Sequence, residues 1–134
     1  MKVLTLKQPW ASLIINGYKE YEFRSWKTKY RGDFLIHAGL GVDKEALNRF
    51  DYSNLDYPKG CIIGKATLTD CLLVDDKIKE ELKRKNENVY LGAINKEIDE
   101  YAFKLENVKR IKPIYIKGKL GFWEYDCNNI EEML

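Results

Sequence analysis

The sequence predicts an α+β fold built on a small curved sheet or barrel, and three observations predict it. Apolar residues alternate with period two in several short to medium stretches spread along the chain. One early stretch, lying between the first two of these, changes to helical spacing, and one or two later stretches do the same. The β-branched run from Gly60 to Val74 is too long for one flat strand, so it must bend, and a bent strand favours a barrel.

Taken in order, Lys2 to Leu6 alternates as an opening strand, with Val3 and Thr5 on one face and Leu4 and Leu6 on the other. Pro9 suits the first turn of a helix, whose apolar face is Trp10, Leu13 and Ile14 and whose end is capped by Gly17. From Glu20 the period returns to two: Tyr21 and Phe23 point one way, while Glu22, Arg24 and Trp26 point the other. Arg31-Gly32-Asp33 is a turn before the apolar strand Phe34 to Ala38, which carries the only histidine, His37. Asp43 is the expected N-cap of a helix running to Phe50, and the stretch from Asp51 to Lys59 reads as a tyrosine-rich surface loop.

In the long run that follows, Gly64 or the Thr69-Asp70 region is the expected bend. Asp75 to Asn88 alternates Lys and Glu around Ile78 and Leu82, the pattern of an exposed amphipathic helix, and residues 75–100 together read as a helical insertion. Residues 95–100 are expected to make at most one helical turn, and Tyr101 to Glu106 alternates like a strand. A basic cluster of Lys109, Arg110 and Lys112 precedes Pro113, Gly118 and Gly121 make a turn, Phe122 to Tyr125 is a closing strand, and Asn128 to Leu134 is expected as a loose tail helix.

At 134 residues the chain fits one domain, read here as spanning 1–134, with room for a core that needs no staples. No segment approaches the ~20 apolar residues that cross a bilayer, so a membrane role is not expected. The first residues do not read as a signal peptide, and a cytoplasmic home follows. Cys61, Cys71 and Cys127 are odd in number and widely spaced, so buried reduced thiols are expected, with neither a disulfide framework nor a metal site. No cofactor is indicated. A net charge of +2 means that affinity for phosphate has to come from a local patch.

The candidate patch is Gly17 to Trp26, where both charge signs and aromatics are held at a helix-to-strand junction. Lys19 is placed to aim an ammonium into a cleft. Arg24 can grip a phosphate in a bidentate manner, or pair with Glu22, two residues away on the same strand face. Glu22 is the one residue of the stretch suited to general-base work, yet Arg24 beside it should push its pKa down. Trp26 shares that polar face and can stack on a nucleobase, Trp10 belongs more to core packing, and Lys29 and Arg31 extend a basic rim. His37, in an apolar strand, reads first as a neutral structural histidine and second as a minor site candidate.

Gly17, Lys19, Glu22 and Arg24 fit the pattern G-x-K-x-x-E-x-R, and the chain in this respect resembles the ASCH (activating-signal-cointegrator homology) domain family. Three further blocks stand in the same order as in that family: Gln8 to Ala11, Lys29 to Gly32 followed by Leu35 to Ala38, and Leu105 to Asn107 with Lys117 to Trp123. The resemblance implies a PUA-like fold, a small β-barrel flanked by helices with the motif residues in a cleft beside it. It also implies an association with RNA, and it brings in Lys119. Some members resemble hydrolases; those acting on acylated cytidine carry a threonine nucleophile where this chain has Glu22.

The expected function is therefore binding of RNA or a modified nucleoside through Lys19, Arg24, Trp26, Lys29, Arg31 and Lys119. The alternative is a hydrolase, either a ribonuclease or a nucleoside amidohydrolase, with Lys19 and Glu22 catalytic. A third reading is a protein-interaction adaptor using the loop from Asp51 to Tyr57.

Overall fold

The structure, a computed structural model, describes residues 1–50, 54–126 and 130–133. The opening strand β1 (Lys2–Gln8) leads into α1 (Trp10–Ile15), then β2 (Tyr21–Arg24), β3 (Gly32–Val42), α2 (Lys44–Arg49) and β4 (Cys61–Leu73). The insertion holds α3 (Asp76–Asn86) and α4 (Leu91–Asn95), and the chain closes with β5 (Tyr101–Tyr115), β6 (Phe122–Glu124) and β7 (Glu132–Met133). The α+β expectation holds.

One mixed sheet runs in the order β2-β5-β4-β3-β1-β6, with β7 added alongside β5. The β1–β3 pair is parallel and the other pairs are antiparallel. Curvature comes from the two long strands: β4 and β5 pair with register shifts at Ile62/Gly64, Lys65/Thr67 and Leu68/Asp70, so the expected bends at Gly64 and Thr69-Asp70 are both present. The barrel is a loose one. Among the described residues the terminal strands β2 and β6 are not paired with each other, so the sheet curls without closing.

Helix α1 lies across the mouth of this curl. Ala11, Ile14 and the partly buried Ile15 join Leu4, Phe34 and Phe103 in one cluster, while Leu13 joins Tyr21, Leu82, Tyr90 and Ala102 in a second beneath the insertion. Both faces of β1 are buried, which explains why its two alternating sets are both apolar at Val3, Leu4 and Leu6. At Gly64 α1 lies close against the sheet. A β-carbon there would stand 2.0 Å from Ile15 Cδ1 and 2.9 Å from the Lys109 carbonyl oxygen.

Several boundaries differ from the expectation. Past Asn95 the 95–100 segment is not helical; the extra helix is α4, which ends where that segment begins. The strand read over Tyr101 to Glu106 is longer, since β5 runs on through Pro113 to Tyr115. The tail helix is replaced over its described part by β7, which pairs Glu132 with Ile111 and Met133 with Arg110. Helix α3 is amphipathic as expected, with Leu82 fully buried and Ile78 packed beside it while most of its charged residues are exposed. Cys61 is a buried free thiol, Cys71 is only half-buried, and Cys127 lies outside the described residues, as do Asp51 to Ser53 of the tyrosine-rich loop. Among the described residues no helix is long and apolar enough to cross a membrane, and no cluster of metal-ligating side chains occurs.

Gly64 gives a direct test of the α1 contact. Gly64→Ala is expected to lose ~1–3 kcal/mol in urea unfolding, because the backbone carbonyl of Lys109 cannot move aside as Ile15 can. A change below ~0.5 kcal/mol would show that α1 does not press on the sheet there.

Candidate functional site

The helix-to-strand junction fixes the site. Helix α1 ends at Gly17, whose φ of +83° suits a residue without a β-carbon. The amides of Tyr18 and Lys19 both reach back to the Leu13 carbonyl, at 2.9 and 3.2 Å, so the backbone of Lys19 is fixed before β2 begins. The next amide, that of Glu20, donates to the Tyr90 hydroxyl at 2.7 Å. Tyr90 is itself buried and meets the rings of Tyr21 and Phe23 edge-on. Burial pushes its phenol up to about 12, so it is a neutral anchor.

Lys19 is no surface lysine: it is only 4% exposed. Its Nζ donates to Glu22 Oε1 at 2.9 Å and lies over the rings of Trp10 and Phe23, 4.6 and 5.4 Å from their centroids. Arg24 takes the other carboxylate oxygen. Its Nε stands 3.1 Å and its Nη2 3.0 Å from Glu22 Oε2, and Nη2 also donates to the Thr5 carbonyl at 2.8 Å. Burial alone would raise the Glu22 pKa, but the Lys19 ammonium and the Arg24 guanidinium outweigh it and hold the carboxyl below its ordinary range. The expected pairing of Glu22 with Arg24 is present, and Lys19 completes it.

These three residues form the floor of a cleft of about 720 Å³. Trp10 of α1, Phe23 of β2 and Trp26 just after it contribute aromatic surface, and Tyr90, Ala93 and Lys96 come from the insertion. Trp10 stands edge-on to Phe50, and Trp26 to both Phe103 and Phe122, so each indole is partly committed to packing while still facing the cleft. The polar lining is nearly balanced in charge. Lys96 is paired with the buried Glu100 at 2.7 Å, and Asp43 caps α2 by accepting from the Ala46 amide at 3.1 Å. Lys7 lines the same space and is exposed.

The rest of the anticipated basic rim lies elsewhere. Lys29 and Arg31 do not line the cleft; Arg31 donates to the carbonyls of Thr28 and Tyr30 in its own turn, at 3.1 and 2.8 Å. Lys119 and His37 line a separate cavity. Thr67 and Thr69 are bonded to Asp33 Oδ1 and the Lys104 carbonyl and are not part of the cleft lining. What sequence reasoning missed is the far wall, Tyr90, Ala93, Lys96 and Glu100, together with Thr5 and Lys7. A lone tyrosine after a charged helix was the one available signal for Tyr90.

Known proteins resemble this chain in sequence and in fold. The family profile described as ASCH domain matches residues 4–114. Activating signal cointegrator 1 of Mus musculus is 37% identical over 82 residues, and that of Homo sapiens 38% over 82 residues; each alignment covers 52% of this chain but only 14% of the relative. The chain therefore spans a small part of these relatives. Among solved structures, ASCH from Zymomonas mobilis superposes with a TM-score of 0.61 at 17% identity, over 94% of this chain and 87% of that one. A point variant of the same Zymomonas mobilis protein gives a TM-score of 0.63 at 18% identity, over 94% and 90%. At that identity the likeness is one of fold.

The buried triad has a pH signature. A carboxyl whose pKa is lower folded than unfolded contributes stability that is fully present above its ordinary value, 4.5, and is lost as pH falls through the folded value. Glu22→Gln is expected to cost ~3–5 kcal/mol at neutral pH, since it leaves Lys19 buried without a counter-charge. The variant should also lack part of the wild-type protein's acid-side loss of stability. Urea melts at stepped pH measure both, and equal acid-side slopes for the two proteins would show that Glu22 titrates alike in the folded and unfolded chains.

Proposed function

The chain belongs to the ASCH domain family, and from that premise we propose that it binds RNA or a modified nucleoside in the cleft over Lys19, Glu22 and Arg24. The observation that carries the reading is the combination of a largely buried ion-pair network on the floor with aromatic walls beside it. Such a floor is rigid, because each charged group is held by another or by the backbone. A rigid polar floor between aromatic side chains suits a planar heterocycle, with Trp26, Trp10 or Phe23 against its face and Arg24 at its edge or on a neighbouring phosphate. RNA is the ligand class with which this family is associated. A cytoplasmic setting is part of the same proposal.

The charge balance favours a base pocket over a backbone track. Of the cleft's cations, Lys19 is consumed by Glu22 and Lys96 by Glu100, which leaves Lys7 and part of Arg24 for phosphate. One or two phosphate contacts give a log affinity that falls with log salt at a slope of about −0.7 to −1.4 for a single strand. The ligand is then recognised chiefly by its base. Binding is also favoured over hydrolysis: both oxygens of Glu22 are occupied, its pKa is held down, and a carboxylate so placed is a poor proton acceptor.

Fluorescence anisotropy with a short labelled single-stranded RNA, and competition by cytidine and acylated cytidine, tests the proposal. Trp26→Ala and Arg24→Ala should each weaken binding by ~1–3 kcal/mol, and Lys29→Ala should leave it within ~0.5 kcal/mol of wild type. Binding that ignores Trp26 and Arg24, or a slope near −4 and beyond, would remove the cleft from consideration. Release of free acid from acylated cytidine, abolished by Glu22→Gln in folded protein, would replace the binding reading with the hydrolytic one.

A further inference from the structure

A second cavity of about 620 Å³ lies outside the cleft. Its wall is largely apolar, formed by Leu40, Ile116 and Leu120 with Gly39 and Gly60, and Lys117 and Lys119 stand at its edge. Leu40 and Leu120 are 80% and 98% exposed, so the apolar surface continues outward from the cavity. At the back sits His37, 1% exposed. Its Nε2 lies 2.7 Å from the Ile116 carbonyl oxygen, which can only accept, so Nε2 carries a hydrogen, and in the tautomer with that one ring hydrogen Nδ1 presents a lone pair. That Nδ1 is buried and has no hydrogen-bond partner, the only such side-chain atom among the described residues.

Gly118 covers it. A β-carbon on Gly118 would lie 2.7 Å from Thr5 Oγ1 and 2.9 Å from His37 Nδ1, so both polar atoms converge on the point that the glycine's hydrogen fills. Thr5 Oγ1 accepts from Trp123 Nε1 at 3.0 Å, which leaves its own hydroxyl hydrogen available. The covering segment is held by its ends and by Lys119, whose Nζ lies 6.0 Å from the Trp123 ring centroid. Ile116 is fixed by its amide to the Gly60 carbonyl at 3.1 Å, but among the described residues no backbone-to-backbone hydrogen bond outside the strand ladders involves 117–121. The closed arrangement thus buries an unsatisfied acceptor beneath a glycine of that segment, and burial of that kind is costly.

We propose that residues 117–121 form a strap over a second nucleotide site. When Gly118 lifts, a nucleobase enters the apolar cavity with its edge on His37 Nδ1 and Thr5 Oγ1, and its phosphate rests on Lys117 and Lys119. An acceptor beside a donor matches the adjacent hydrogen-bond donor and acceptor on the pairing edge of a base, as the amino group and ring nitrogen of cytosine. The apolar walls take the faces of the base, and the two lysines supply the charge complement that the first cleft largely lacks. The inference rests on the reading of the protein as a binder of nucleotides, and Thr5, which lines both cavities, puts the two sites on one path for a strand.

Because the chain has one histidine, nitrogen NMR of isotope-labelled protein reads His37 without ambiguity. Cytidine monophosphate should move the Nδ1 resonance, whereas ribose phosphate, which lacks a base, should not. Lys7→Glu, an exposed change in the first cleft, should leave that response intact. Leu120→Glu, at an exposed position, should weaken it about tenfold through repulsion of the phosphate. An unmoved Nδ1 at saturating cytidine monophosphate, with cleft tryptophan signals shifting, would overturn the second site and leave the cleft reading standing. A response lost in Lys7→Glu, or produced equally by ribose phosphate, would overturn it as well. A response that persists when RNA binding proves independent of Trp26 and Arg24 would keep this site and remove the other.

Discussion

The carboxylate of Glu22, held between Lys19 and Arg24, is the interaction on which the rest of the site depends. Burying three charges is a poor way to gain stability, since the desolvation cost rivals the Coulombic return. Its effect here is geometric. Lys19 comes from the end of α1, Glu22 and Arg24 from β2, and through Arg24 the network reaches the Thr5 carbonyl of β1. Along the sheet, β1 is four strands away from β2. The guanidinium therefore bridges the open seam of a sheet that backbone pairing does not close.

Trp26 does the same in apolar terms. It follows β2 directly and packs edge-on against Phe122 of β6 and Phe103 of β5, so it joins the two ends of the strand order. A salt-bridged clasp and an aromatic one side by side explain why a sheet of this size can curl around a core while leaving a cleft. The cleft occupies the part of the seam that the clasps span, and α4 with Tyr90 walls its other side. Loss of either clasp would thus be felt both as instability and as a change in the shape of the site.

How much of this was legible in the letters follows from range. The β1–α1–β2 unit and the Asp43 cap depend on period and on capping chemistry within a few residues, and they appear as expected. So does the Glu22–Arg24 pair, which a strand places on one face. Lys19 was readable as a candidate by motif, but its burial was not, because the rings that cover it are set by how α1 packs on β2. The expectation for Lys29 and Arg31 rested on proximity in sequence to Trp26; the turn they occupy points Arg31 back at its own carbonyls. Tyr90 and Glu100 reach the cleft only because the insertion folds back across the sheet, and the Tyr90 hydroxyl meets a backbone amide 70 residues away in the chain. Strand β5 accommodates Pro113. Proline ends a strand only where its missing amide would have been needed, and near the end of β5 it is exposed and tolerated.

Thr5 shows why the clasp falls where it does. The β6 ladder on β1 covers Lys2, Val3 and Leu4 and then stops. Thr5 is the first residue past it, still paired with His37 of β3 on its other side. Beyond the end of β6 a strand edge would offer its carbonyl to water or to another chain. Arg24 takes that carbonyl instead, while the Thr5 side chain holds the indole N–H of Trp123 from β6. One residue thus ends the β6 pairing, receives the clasp from β2 and separates the two cavities. A longer β6 would have paired the Thr5 carbonyl into the ladder and left Arg24 without that acceptor.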